Sequence, residues 1–203
     1  MPDEASSPKP TRRTVVRGGV TIGAALAVAP HLAAPAAAAV SEGAPRRLAL
    51  TVNGQDLTLD LDPRTSLLDA LREHAGTTGP KKGCNQGACG ACTVLLDGQR
   101  VLSCLTFAVL HDGQEVTTVE GIADGDRLHP VQQAFMDHDA FQCGFCTSGQ
   151  IVSAVGLLSE EPGITKDRIP EAMSGNLCRC AAYCNIRDAI ETASAATTQA
   201  KGR

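Results

Sequence analysis

Eight cysteines of the 203-residue chain fall into two groups of four whose spacings suit metal–sulfur chemistry. The first group lies in Gly83-Cys-Asn-Gln-Gly-Ala-Cys-Gly-Ala-Cys92 and is completed by Cys104. It reads Cys84-x4-Cys89-x2-Cys92, then eleven residues, then the fourth thiol. That is the plant-type spacing for a [2Fe–2S] cluster. Two irons need four thiolates, and one loop can supply three of them only if it wraps the cluster. Gly83, Gly87 and Gly90 permit the wrapping, because glycine accepts positive φ and lets backbone N–H groups approach the sulfides. Such hydrogen bonds tune a reduction potential. The second group is Cys143-x2-Cys146 and, thirty-one residues on, Cys178-x-Cys180. By itself this pattern suits zinc as well as iron. Beside the first group it reads as a second [2Fe–2S] site.

Two other uses of these thiols stay open from spacing alone. Structural zinc usually takes paired C-x2-C knuckles, and neither group has two. A disulfide scaffold fits an exported chain. However, the patterned strands and helices supply a core without staples, and a chain folded before export meets reducing conditions first. Cys184 is the ninth cysteine. Its plain reading is a partly buried, inert thiol. Its sharper readings are a substitute ligand for Cys180 or a reactive thiol after export.

The remaining composition narrows the function. The formal charge is −4, aromatics are 2%, and there is no Trp. Neither a basic face nor an aromatic stacking platform for nucleic acid is present. There is no G-x-G-x-x-G and no Walker pattern, and Gly79-Pro-Lys-Lys-Gly83 matches neither. Lys81 and Lys82 read as a solvated or interface face. His74, His111, His129 and His138 are scattered, without the paired histidines of a Rieske-type centre. Tyr183 reads as packing. Phe135, Phe141 and Phe145 read as packing around the second cysteine group or at a partner surface. No catalytic acid, base or substrate pocket is evident.

The elements that must position the thiols change character along the chain. Leu48, Leu50 and Val52 alternate with small or polar residues, Asn53-Gly54 follows, and Leu57, Leu59 and Leu61 alternate again. This is a strong β-hairpin signal. Ser66 followed by Asp69 resembles a capping box, and Leu67, Leu68 and Leu71 have helical spacing to about His74. Thr93 to Leu96, the turn Asp97-Gly98 and Arg100 to Ser103 make a second hairpin, with a further strand at Val116 to Val119. After Gly121 the pattern turns helical. Val131 to Met136 and Ile151 to Leu158 form two helices. Thr165 caps a third that Pro170 shortens or kinks. Asn185 caps a fourth running from Ile186 to about Ala195. The expected fold class is α+β: a β domain over 46–122, a helical domain over 126–195 and a frayed tail over 196–203.

Residues 1–39 read differently. Arg12-Arg13 precedes an apolar, Gly- and Ala-rich run that ends in Ala36-Ala37-Ala38-Ala39, the pattern of an export signal. The adjacent arginines suggest the twin-arginine route, and hence a periplasmic or extracytoplasmic location. An uncleaved membrane anchor is the alternative. Residues 40–45 read as a linker, and no later segment looks like a transmembrane helix.

Both cysteine groups in this order resemble the small iron–sulfur subunit of the xanthine dehydrogenase and aldehyde oxidase family of molybdenum hydroxylases. With the export signal, the likeness is to the exported subunit of periplasmic aldehyde oxidoreductases. The resemblance covers about residues 46–195. It rests on the Gly83–Cys92 stretch, His129-Pro130-Val131-Gln132, Gln142-Cys-Gly-Phe-Cys-Thr147 and Gly175-Asn-Leu-Cys-Arg-Cys180. It implies a β-grasp ferredoxin domain followed by a four-helix bundle. It also implies that Cys84, Cys89, Cys92 and Cys104 hold the cluster nearer a flavin, and that Cys143, Cys146, Cys178 and Cys180 hold the one nearer molybdenum. Gln142 and the backbone at Cys180 would approach the pterin cofactor of a large subunit, with FAD on a medium subunit in a hetero-oligomer. The chain would then be the non-catalytic electron-transfer subunit, passing singly the two electrons that hydroxylation releases. A free-standing two-cluster ferredoxin and a zinc interaction module are the alternatives. The chain departs from the family at Ser148, where Pro is frequent, and at Ala182, where Gly is frequent. The second departure bears on any loop geometry that needs positive φ at 182.

Overall fold

The computed structural model describes residues 44–201, so the expected export signal lies outside the described residues. Strands β1 (Arg46–Val52) and β2 (Gln55–Leu61) pair antiparallel from Arg46 opposite Leu61 to Val52 opposite Gln55. Asn53 and Gly54 take φ of 51° and 77° between them. Two left-handed residues match the right-handed twist of the strands, as Asn-Gly predicts. The alternation of β1 buries Leu48, Leu50 and Val52 on one face.

Ser66 Oγ accepts a hydrogen bond from the Asp69 N–H at 3.1 Å and so starts helix α1 (Leu67–Asp69). The helix widens at once into a π-helical turn, Ala70–His74, and ends where the sequence predicts. Leu67, Leu68 and Leu71 are buried. Strands β3 (Thr93–Leu96) and β4 (Gln99–Leu102) form the second hairpin, with Asp97 and Gly98 again left-handed at φ of 48° and 80°. Strand β5 (Glu115–Thr117) pairs parallel to β1 and antiparallel to β3, giving the order β2-β1-β5-β3-β4. A first core gathers Leu48, Leu50, Leu67, Leu71, Val94 and Val116 between α1 and the sheet.

The second half is helical. Helix α2 (Pro130–Asp137) begins with a capping box: His129 Nδ1 accepts from the Val131 N–H at 3.2 Å, and Gln132 Oε1 accepts from the His129 N–H at 3.0 Å. Proline in the first helical turn removes an N–H that has no intrahelical partner. His129-Pro130-Val131-Gln132 is thus a helix start. Helix α3 (Thr147–Glu160) extends the expected Ile151 to Leu158 segment at both ends. Two expectations need correction. The third helix, α4 (Ile169–Ala172), starts at Ile169 and makes one turn; Arg168, not Thr165, stands at its cap. Pro170 tolerates only a first-turn position, which sets that start. The last helix, α5 (Tyr183–Lys201), begins before Asn185 and continues past Ala195 into the segment assigned to a frayed tail. Asn185 does not cap it; its Nδ2 donates to the Asp139 carbonyl at 3.2 Å.

A second core gathers Val131, Phe135, Leu157, Ile169 and Ile190. The two halves meet where α3 lies along β3 and β4. A Cβ at Gly156 would stand 2.4 Å from Arg100 Cγ, so only glycine allows the approach. Arg100 crosses the seam, donating through Nε and Nη2 to the Glu160 carboxylate at 3.0 and 2.6 Å. This bidentate pairing fixes orientation as well as distance.

Phe135 is 1% exposed and Phe141 is 44% exposed. Phe135→Ala is therefore expected to cost about 3–5 kcal/mol by the cavity it leaves. Phe141→Ala is expected to cost less than about 0.5 kcal/mol. Urea unfolding followed by circular dichroism measures both.

Candidate metal centres

All nine cysteines are free thiols, and no disulfide scaffold forms. The first group is built as the glycine pattern demands. Asn85, Gly87 and Gly90 have φ of 54°, 75° and 72°, which coils the loop. A Cβ on Gly83 would sit 2.9 Å from Cys89 Sγ, so glycine gives that sulfur its room. The coil turns backbone N–H groups inward. Gln86 and Ala88 donate to Cys84 Sγ at 3.4 and 3.2 Å, and Cys84 N–H donates to Cys89 Sγ at 3.5 Å. Cys104 enters from the turn Ser103–Leu105 that follows β4.

The thiols meet in pairs. Cys84 faces Cys89, and Cys92 faces Cys104. In the second group Cys143 lies by Cys180 and Cys146 by Cys178, and each pair also senses the other, Cys146 through Cys143 and Cys180 through Cys178. Among the described residues no three Cys, His, Asp or Glu side chains converge on a single point. A [2Fe–2S] centre needs two thiolates on each of two irons, and the pairwise arrangement fits that requirement. A further feature points the same way. Thr147 Oγ1 and Ser148 Oγ, directly after Cys146, are buried with no protein hydrogen-bond partner. Buried polar atoms normally find one, and two idle hydroxyls directly after Cys146 suit an acceptor such as a sulfide.

The environments of the thiols differ. The Gln86 and Ala88 amides hold Cys84 down at about 7, against the opposing effect of burial. Burial, helped by the neighbouring Cys104 thiol, pushes Cys92 up to about 11. Burial, with Cys178 beside it, pushes Cys146 up to about 12. The Phe145 N–H lowers Cys143.

Both groups open on one cleft of about 370 Å³, lined by Cys84 and Cys89 from the first and by Cys143, Cys146 and Cys178 from the second. Phe145, Leu177 and Tyr183 form its exposed apolar rim, each about half accessible. Gln142 is exposed beside Cys143. The plain readings of the cations hold. Lys82 pairs with Asp69 at 2.8 Å, and Lys81 Nζ donates to the Thr78 carbonyl. His111 bonds the Thr106 and Gln114 side chains, and His138 bonds Thr192. Two readings change. Tyr183 does more than pack: its hydroxyl accepts the Cys178 N–H at 2.8 Å. Cys184 is exposed rather than partly buried. It lines a separate cleft of about 320 Å³ together with Met173 and Arg187. The positive φ of this region falls at Ala181 (59°), not Ala182, so the family departure at 182 carries no backbone cost.

Sequence reasoning did not find the polar residues between the groups. Gln150 is 1% exposed and Asn176 7% exposed, and they are bonded to one another and to the first loop. Asn176 stands inside the Gly-Asn-Leu-Cys run. Its signal was an amide two residues before the Cys178-x-Cys180 pair.

This sheet, helical half and doubled set of paired thiols define a two-centre iron–sulfur protein. Residues 50–121 match the 2Fe-2S iron-sulfur cluster binding domain family, and residues 118–191 match the [2Fe-2S] binding domain family. The chain is 48% identical over 200 residues to the aldehyde oxidoreductase iron-sulfur-binding subunit PaoA of Escherichia coli K12. That alignment covers 90% of this chain and 87% of the relative. It is 50% identical over 139 residues to the nicotine 6-hydroxylase small subunit of Paenarthrobacter nicotinovorans, covering 68% and 84%. The structure superposes on quinoline 2-oxidoreductase from Pseudomonas putida 86 with a TM-score of 0.73 and 45% identity, covering 77% of this chain and 98% of that one. The chain belongs to the family of small iron–sulfur subunits of the molybdenum hydroxylases, the electron-transfer subunits of multi-subunit oxidoreductases.

The thiolate, not the thiol, reacts with an alkylating agent. In the metal-free protein at neutral pH, iodoacetamide is expected to label Cys84 ahead of Cys92 and Cys146. Peptide mass spectrometry over a time course checks the order.

Proposed function

We propose that Cys84, Cys89, Cys92 and Cys104 hold one [2Fe–2S] cluster and Cys143, Cys146, Cys178 and Cys180 a second. On this reading the chain relays single electrons between a molybdenum-cofactor subunit and a flavin or other acceptor. The observation that carries it is the opening of thiols from both quartets onto one cleft, beside a coiled first loop whose N–H groups point at the sulfurs of Cys84 and Cys89. Each cluster supplies a one-electron couple. The chain's own groups do the rest. The loop glycines bring N–H donors onto the sulfurs, the N–H groups favour the thiolate, and burial of Cys92 and Cys178 keeps water from them. No acid, base or substrate-binding group is needed here, so the chemistry of substrate belongs to a partner.

The domain division at 46–122 and 126–195 is part of the proposal, as are the β-grasp and four-helix-bundle topologies. Two separate cores and four helical segments support it. The partners are a large subunit carrying a molybdopterin cofactor, met through Gln142 and the backbone at Cys180, and a medium subunit carrying FAD. The apolar rim of Phe145, Leu177 and Tyr183 supports a subunit over a free carrier, since an exposed apolar patch beside a redox site is a surface that a partner covers. Among the described residues no helix is long and apolar enough to cross a membrane. Residues 1–39 act as a twin-arginine signal that sends the folded protein out of the cytoplasm. The adjacent Arg12-Arg13 before an apolar, Gly- and Ala-rich run ending in Ala36-Ala37-Ala38-Ala39 supports this reading. An aldehyde is the favoured substrate class of the whole enzyme on the likeness to the aldehyde oxidoreductase subunit.

Purification from the native host is expected to give about four irons and four acid-labile sulfides per chain, with molybdenum and flavin on copurifying subunits. Cys184→Ser is expected to leave the iron content unchanged. Zinc in place of iron, or iron that falls with Cys184, would contradict the assignment.

A further inference from the structure

Three backbone segments meet between the two cysteine groups, and each carries a thiol. Gly90 lies between Cys89 and Cys92. Gly149 follows Cys146 by three residues, in the first turn of α3. Asn176 precedes Cys178 by two. The segments touch directly. A Cβ on Gly149 would stand 2.3 Å from the Gly90 carbonyl oxygen, and one on Gly90 would stand 2.4 Å from the Gly175 carbonyl oxygen. One side chain ties all three together. Asn176 Nδ2 donates to the carbonyls of Gly90 at 3.0 Å and Gly149 at 3.2 Å, and reaches Thr93 Oγ1 at 3.3 Å. Thr93 Oγ1 itself donates to Gly90 O at 2.6 Å. The Asn176 carbonyl is fixed in turn by Gln150 Nε2 at 2.9 Å. One residue further on, the Leu177 N–H donates to the Cys89 carbonyl at 2.9 Å.

Buried amides are a costly way to stabilise a seam, because each must be desolvated before it bonds. What they give in return is geometry. A hydrogen-bonded amide fixes direction and distance, whereas apolar contacts tolerate sliding. Here the fixed quantity is the placement of Cys89 and Cys92 relative to Cys146 and Cys178. Electron tunnelling falls exponentially with the separation of the two centres, so a small shift at this junction acts directly on the step between them.

We propose that Asn176, held by Gln150, is a positioning residue that sets the separation and orientation of the two iron–sulfur centres and so the rate of the electron step between them. This rests on the assignment of two clusters made above. It assigns Asn176 no contact with either cluster.

The test is low-temperature EPR of the fully reduced, cluster-loaded protein, purified with the subunits that accompany it. Two nearby unpaired spins split one another's signals, and the splitting falls with the cube of their separation. Asn176→Ala is expected to keep two signals of full intensity while losing part of the splitting, and to slow electron equilibration between the centres severalfold after flash reduction. Thr93→Val, which removes only the hydroxyl, is expected to do the same more weakly, and decides the matter if Asn176→Ala does not accumulate. Asn185→Ala, at a surface site, is expected to leave the splitting unchanged. A lowered melting temperature with unaltered splitting and rate in both seam variants would make Asn176 a structural residue only and overturn the inference. Two unsplit signals in the unaltered protein would overturn it while leaving the cluster assignment intact. Fewer than two signals in the unaltered protein would overturn the cluster assignment itself, and this inference with it.

Discussion

Bringing two groups of thiols from distant stretches of backbone onto one cleft is the constraint on which this structure depends. A helix or strand presents side chains at fixed intervals along one line, so no single regular element can surround a two-iron group. On the proposed assignment the chain solves this twice, by different means. In the first half a coiled loop carries three thiols, and the return of a hairpin supplies the fourth, Cys104. In the second half two short connections between helices approach each other. One holds Cys143 and Cys146 before α3, and the other holds Cys178 and Cys180 before α5. Sheet and helices are therefore a frame for four irregular stretches of backbone.

Irregular backbone near sulfur needs its N–H groups satisfied and its φ angles tolerated. Both needs appear in the choice of residues. Gly87 and Gly90 take positive φ where the loop coils, and Ala181 accepts a left-handed φ of 59° at a cost of about 1–2 kcal/mol to an L residue. Sulfurs accept the amides of Gln86 and Ala88, while the Tyr183 hydroxyl accepts the amide of Cys178. The same logic closes the seam between the halves. Gly149 and Gly156 let α3 lie against the first loop and β4, and Arg100 with Glu160 pins the far end.

Much of this was legible in the sequence, because the signals were local. Asn53-Gly54 and Asp97-Gly98 dictate tight turns, Ser66 dictates a cap, and the cysteine spacings name the chemistry. What was not legible depends on contacts distant along the chain. Asn185 has the composition of a cap but sits within α5, since its amide finds Asp139 across the fold. Thr165 likewise loses its expected role, because the first-turn requirement of Pro170 moves the helix start to Ile169. Tyr183 looks like packing until Cys178 is placed beside it. Asn176 is mute as a lone amide, and its role appears only when Gly90 and Gly149 arrive at its side chain.

On the proposed function the two quartets hold one centre each. The direct measurement is EPR of the reduced protein carrying Cys89→Ala or Cys178→Ala, one ligand removed from each quartet. Each variant is predicted to lose one of the two signals and to keep the other with its g values unchanged. Loss of both signals in either variant, or of neither in both, would contradict the account.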